Sequence, residues 1–249
     1  MVKHCAELDI LRRRIREIEG EETHRHGFLS FELCRLDDQL PKLGLSRGVL
    51  HEVAGGDKSA VDGAAPACFI AGIVGRLGGE ILWCSTMDDI YAPALQQSGL
   101  PPDRVIFVEA PDEHAVLACM EDGLRHGGLA AVVGEMSSLP MTASRRLHLA
   151  AAKSGTTAFA LRRWRRLADA ADFGQPTAAE TRWRITPRSS APLPVPGVGR
   201  ARWHVELLRA RSGSDFALDL EACDDAGYMA ATEELMGEVS FPGLRSAQG

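Results

Sequence analysis

The sequence predicts an α/β fold: a mostly parallel sheet with helices on both faces and antiparallel edge strands at its C-terminal end. Three observations carry this. Strands of five or six residues, apolar on both faces, alternate with helices from Val49 to Leu161. After Arg166 the pattern turns to polar–apolar alternation, which marks strands with one wet face. A glycine-rich loop separates the first of these strands from the first of the helices. That strand–loop–helix order aims backbone N–H groups and a helix N-terminus at an anion.

The elements follow in chain order. Residues 6 to 19 (AELDILRRRIREIE) place Leu8, Leu11, Ile15 and Ile18 on one stripe, so residues 1–20 read as an amphipathic helix facing a partner or its own domain. Gly20 ends it, and a polar linker leads to Phe28. Val49 to Val53 is a short strand, and Gly55 and Gly56 turn the chain. Gly63 to Leu77 is apolar nearly all round, as in a helix buried against a sheet, with Pro66 tolerated only near its start. Glu80 to Ser85, Arg104 to Glu109, Leu129 to Val133 and Thr156 to Leu161 read as further buried strands. Helices at Tyr91 to Ser98, Asp112 to His126 and Thr142 to Lys153 separate them, with Pro111-Asp112 a start signal and Gly155 a stop signal. Thr181 to Thr186, Arg202 to Leu208 and Asp215 to Leu220 alternate and read as antiparallel edge strands. The core domain therefore spans residues 28–221, followed by a peripheral acidic tail, 222–249.

With 249 residues, 45% of them hydrophobic and 25% charged, the chain suits one sizeable globular domain. No run approaches the roughly 18 apolar residues that span a bilayer, and the charged N-terminus lacks a signal-peptide core. A cytoplasmic location without a membrane partner is expected. The six cysteines are scattered, with no Cys-x-x-Cys pair, so neither a disulfide framework nor a metal site is expected. The net charge of -6 is uneven: half of the 28 Lys and Arg fall between Thr142 and Arg211, and the chain from Asp215 to Glu238 is almost purely acidic. Arg145, Arg146, Arg162, Arg163, Arg165 and Arg166 are candidates for a basic surface that takes DNA or an acidic partner. Trp164 among them is placed to stack on a base, and Arg182, Arg184, Arg202, Arg209 and Arg211 extend the surface.

The loop itself departs from what phosphate transfer needs. Such a loop needs a Lys reaching the β- and γ-phosphates and a Ser or Thr on Mg²⁺ at the helix start. Here Lys58-Ser59 follows Gly56 too closely, and Gly63-Ala64-Ala65 stands where the lysine and hydroxyl belong. The metal-holding acid at a strand end is replaced by Glu135, displaced by one position. No carboxylate follows Trp83 directly; Asp88 and Asp89 are the nearest. Gly55, Gly56, Lys58, Ser59, Gly63 and Glu135 thus read as a degenerate site, with no catalytic residue, no cofactor and at most weak ATP binding. Glu52 reads as fixing the turn through backbone hydrogen bonds or touching a ligand.

Leu36-x-x-x-Leu40, Gly44-Leu45-Ser46-Arg47-Gly48, Glu52, Gly55, Ile90-Tyr91-Ala92 and Gly99-Leu100 resemble the ATPase core of RecA-type recombinases. A closer resemblance, over residues 28 to 221, is to the inducible mutagenesis protein A (ImuA) family, RecA-like and related to the SulA division inhibitors. It is carried by Gly44 to Gly55, Thr142 to Leu147 with Leu149-Ala150-Ala151, Arg182-Trp183-Arg184-Ile185, and Gly199 to Gly213. The resemblance implies a RecA-like core and an accessory role in DNA-damage-induced translesion synthesis. The partners it implies are a Y-family polymerase-like protein, RecA recombinase and an error-prone replicative polymerase. Two alternatives stand beside this non-catalytic adaptor: an active DNA-stimulated ATPase, and a SulA-like inhibitor of division.

Overall fold

Alternating apolar strands and helices assemble as the sequence predicts. The computed structural model describes residues 26–40, 43–56, 61–164, 170, 173–191, 193–210 and 215–232. The expected partner-facing stripe of Leu8, Leu11, Ile15 and Ile18 lies outside them, as does the tail beyond 232. In chain order the elements are β1 (Phe28–Leu29), α1 (Cys34–Asp37), β2 (Leu45–Ser46), β3 (Leu50–Gly55), α2 (Val61–Gly75), β4 (Ile81–Ser85), α3 (Ala92–Gln97), β5 (Val105–Glu109), α4 (Glu113–His126), β6 (Ala131–Met136), α5 (Met141–Ser154), β7 (Thr157–Arg162), β8 (Thr181–Arg188), β9 (Arg202–Ala210), β10 (Phe216–Glu221) and β11 (Ala230–Ala231).

Among the described residues nine strands form one sheet, in the order β11-β10-β9-β8-β3-β7-β6-β4-β5. The run from β8 to β5 is parallel, and β9, β10 and β11 add antiparallel pairings. Side chains on one face of the sheet, Val53, Trp83, Val133, Phe159, Leu161 and Trp183, pack with Phe69 and Ile70 of α2. On the other face Leu50, Cys84, Val132, Ala158 and Ala160 meet Met120 and Leu124 of α4 and Leu147 of α5. Asp112 caps α4 as expected, accepting from the Ala115 N–H at 2.8 Å.

Four expectations are corrected. The strand from Thr181, read as an antiparallel edge, runs parallel to β3 and lies between β3 and β9. Its polar alternation reflects Arg182, paired with the buried Glu52, and Arg184, facing Glu206 on β9. The strand from Arg104, read as covered on both faces, is the outermost, and leaves Ile106 50% and Phe107 42% exposed. Residues 222–232, read as peripheral, belong to the core. Ala222 and Met229 are buried, Arg200 donates to the carbonyls of Ala222 and Tyr228, and Arg76 lies 4.7 Å from the Tyr228 ring centroid. A Cβ on Gly72 would stand 2.3 Å from the Cys223 sulfur, so the bare helix face admits this segment. These residues are too short a run to show periodicity. Finally, Cys68, Cys84, Cys119 and Cys223 are free, whereas Cys34 is in a disulfide that spacing alone does not reveal.

Two polar networks fix β3 in the sheet. Glu52, fully buried, accepts from Arg162 Nη1 at 2.5 Å through one oxygen, and from Arg182 Nε and the Thr177 hydroxyl, both at 2.9 Å, through the other. It thus holds β7 and β8 on either side of β3 through side chains, not through the turn. On the opposite face His51 Nε2–H donates to the Ser46 carbonyl at 2.8 Å. Its Nδ1 accepts from the Thr181 hydroxyl at 2.7 Å, and that oxygen accepts from Trp183 Nε1–H. This chain requires a neutral imidazole, and burial pushes the His51 pKa from 6.5 down to about 4.

Removing one member of a buried ion cluster leaves uncompensated charge. Glu52→Gln is expected to cost about 3–5 kcal/mol in urea unfolding; a loss below about 1 kcal/mol would mean that water reaches the arginines. The folded pKa of His51 lies below its unfolded value, so its contribution is complete above about pH 6.5 and is lost as pH falls toward 4. The decline in stability across that window is expected to be about 3 kcal/mol shallower in His51→Asn.

Candidate functional site

Parallel α/β sheets place ligands outside the carboxyl ends of their strands, where successive connections diverge. Here that crevice is framed by Gly55 ending β3, Glu135 near the end of β6, Arg163 just past β7, the segment after β4 and the first turn of α2. Gly56 serves backbone approach: its N–H donates to the Ile185 carbonyl at 3.1 Å, and a Cβ there would strike the Thr186 hydroxyl. Gly63 lies in the first turn of α2, where a Cβ would stand 3.4 Å from Arg163 Nε. Lys58 and Ser59 lie outside the described residues.

At the crevice the chain places a cation of its own. Arg163 holds Asp89 in a fork, Nη1 to Oδ1 at 2.9 Å and Nη2 to Oδ2 at 2.8 Å. Its Nη1 also donates to Glu135 Oε2 at 2.5 Å. The other Glu135 oxygen accepts from Trp83 Nε1–H at 2.8 Å. Hydrogen bonding to Asp89, followed by the charge of Glu135, raises the Arg163 pKa further, so it is a fixed cation. Glu135 is therefore not a free strand-end acid: each oxygen has a donor, and its side chain is 5% exposed. A guanidinium lies over the helix start where a phosphate would otherwise be favoured, and both nearby carboxylates are committed to it. Among the described residues no group of three His, Cys, Asp or Glu side chains stands close enough to hold a metal ion.

The sequence-predicted basic surface is not one surface. Arg162 and Arg182 are buried against Glu52, because an arginine on an inner strand finds its partner across the sheet and not in solvent. Their guanidiniums, with that of Arg184, stand 5.3 to 5.9 Å from the Phe173 ring centroid. Trp164 packs on the same ring at 5.7 Å, half-buried, so it is not a free stacking platform. Arg184 also faces Glu206 at 3.9 Å, Arg202 is half-buried, and the exposed Arg209 donates to the Thr177 carbonyl. Arg145 and Arg146 are exposed on α5. Arg165, Arg166 and Arg211 lie outside the described residues. Sequence reasoning missed Trp83 and Phe173 as members of these clusters. For Trp83 a signal existed, since a buried indole N–H needs an acceptor.

No protein-family model matches the chain. Two curated relatives do, each named Protein ImuA, from Caulobacter vibrioides strains NA1000 / CB15N and CB 15. Each is 39% identical over 230 residues, spanning 88% of this chain and 93% of the relative. The chain belongs to the ImuA family. Its fold is RecA-like: a crystal structure of the RadB recombinase matches with a TM-score of 0.53 at 15% identity, over 80% of this chain and 96% of that one. At that identity the likeness speaks for the fold alone. No helix among the described residues of this ImuA-family chain is long and apolar enough to cross a membrane.

Arg163→Met is expected to lower stability by about 1–3 kcal/mol, because Glu135 keeps only its indole donor. Adding Glu135→Gln should recover part of the loss, since an amide needs no counter-charge. Additive losses in this double-mutant cycle would show that the two side chains are not coupled.

Proposed function

We propose that this protein is a non-catalytic RecA-like accessory component of DNA-damage-induced mutagenesis, working as an adaptor in a translesion-synthesis complex or as a modulator of RecA filaments. The observation that carries the non-catalytic part is the Arg163–Asp89–Glu135 cluster at the start of α2. Phosphoryl transfer needs cationic groups and a metal directed at the phosphates. Here the cation is neutralised by the chain's own carboxylates, and the strand-end acid is turned toward an indole and a guanidinium. Membership of the ImuA family supports the mutagenesis role. On this reading the protein partners are a Y-family polymerase-like protein, RecA recombinase and an error-prone replicative polymerase, with DNA a candidate ligand of the remaining exposed arginines.

The test is phosphate release at millimolar Mg²⁺, with and without single-stranded DNA, beside titration with a fluorescent ATP analogue. No turnover is expected in either condition, and no nucleotide binding tighter than the millimolar range. DNA-stimulated phosphate release would establish an active ATPase instead.

A further inference from the structure

Helices α4 and α5 lie side by side on one face of the sheet, and a groove of about 680 Å³ runs along their C-terminal halves. We propose that this groove docks an acidic, leucine-bearing segment of a partner protein. The proposal gives the adaptor reading a surface and rests on that reading only for its biological use.

The groove is built around one acid. Glu121 on α4 is buried, and its two oxygens take different arginines: Arg125, one turn along the same helix, and Arg146, across on α5. Both arginine side chains remain about two-thirds exposed. A guanidinium carries five N–H donors, so each arginine keeps donors for a ligand while Glu121 limits where its head can go. Such pre-orientation lowers the entropy cost of binding a carboxylate. Exposed Lys153 and His126 continue the wall. Three fixed cations thus face a single acid, on a chain whose net charge is -6. The two helices end here, at Gly127 and Gly155, and part of this positive charge offsets their carbonyl ends.

An apolar feature selects the class of ligand. Leu149 is 68% exposed in the same groove, beside Ala150. A nucleic-acid backbone offers phosphates but no aliphatic side chain to cover a leucine, and the protein's overall negative charge repels a polyanion at long range. An amphipathic segment with carboxylates on one side and a leucine on the other satisfies both features at once.

The probe is a synthetic peptide of about 16 residues, long enough to hold a helix. It carries Glu along one face and Leu along the adjoining one, with a Glu→Gln counterpart, and binding to the full chain is followed by fluorescence anisotropy. Leu149→Ser and Lys153→Glu are exposed changes that leave the Glu121 clamp whole, and each is expected to weaken binding by about tenfold. The glutamine peptide should bind weakly, and oligothymidylate of similar length should not displace the acidic peptide. Failure of the acidic peptide to bind, unchanged affinity in both variants, or displacement by oligothymidylate would overturn the proposal. The phosphate-release test does not involve this groove, so the two readings fail separately.

Discussion

The structure depends on a carboxylate buried between two arginines. Glu52 on β3 draws Arg162 from β7 and Arg182 from β8, and β3 lies between those strands in the sheet. Burying three charges is costly, and attraction inside the protein repays this only when further hydrogen bonds satisfy the remaining atoms. Two such bonds are present here: Arg162 also reaches the Ser137 carbonyl at 2.5 Å, and Arg182 the Gln175 carbonyl at 2.7 Å. The cluster selects register as well as stability. Sliding β8 by one residue would place Arg182 on the other face, in the hydrophobic cluster with Phe69 and Trp203, and Trp183 against Glu52.

From that anchor the crevice follows. Arg162 ends β7, and the next side chain points to the opposite face, beside α2. Arg163 therefore emerges at the helix start, within reach of Glu135 from the neighbouring strand and of Asp89 beyond β4. Two adjacent arginines thus serve two ion clusters on opposite faces of one sheet. The fold retains the geometry by which RecA-like sheets present a crevice, while the side chains lining it satisfy one another.

Exposed charge is concentrated elsewhere. The arginines nearest the crevice are committed to carboxylates, to the Phe173 ring or to carbonyls, whereas those of α4 and α5 keep most of their surface in water. The helical flank of the domain thus carries the more exposed cations, and the crevice the ones held by carboxylates. Among the described residues β5 ends the sheet, and its Ile106 and Phe107 are 50% and 42% exposed.

The sequence by itself determined the order of strands and helices, because apolar runs of five or six residues and glycine or proline stops act locally. Val105–Glu109 and Thr157–Arg162 stand within a residue of where the pattern put them. It also showed Gly63-Ala64-Ala65 at the start of α2, since those residues are contiguous in the chain. Only the tertiary structure decided which arginines face water. Arg162, Arg163 and Arg182 look alike in sequence, but their partners Glu52, Asp89 and Glu135 lie 28 to 130 positions away. The seating of residues 222–232 was likewise invisible, because it depends on a glycine face of α2 and not on any periodicity of its own. Long-range pairing is set by sheet order, and sheet order is not a property of any single stretch of chain.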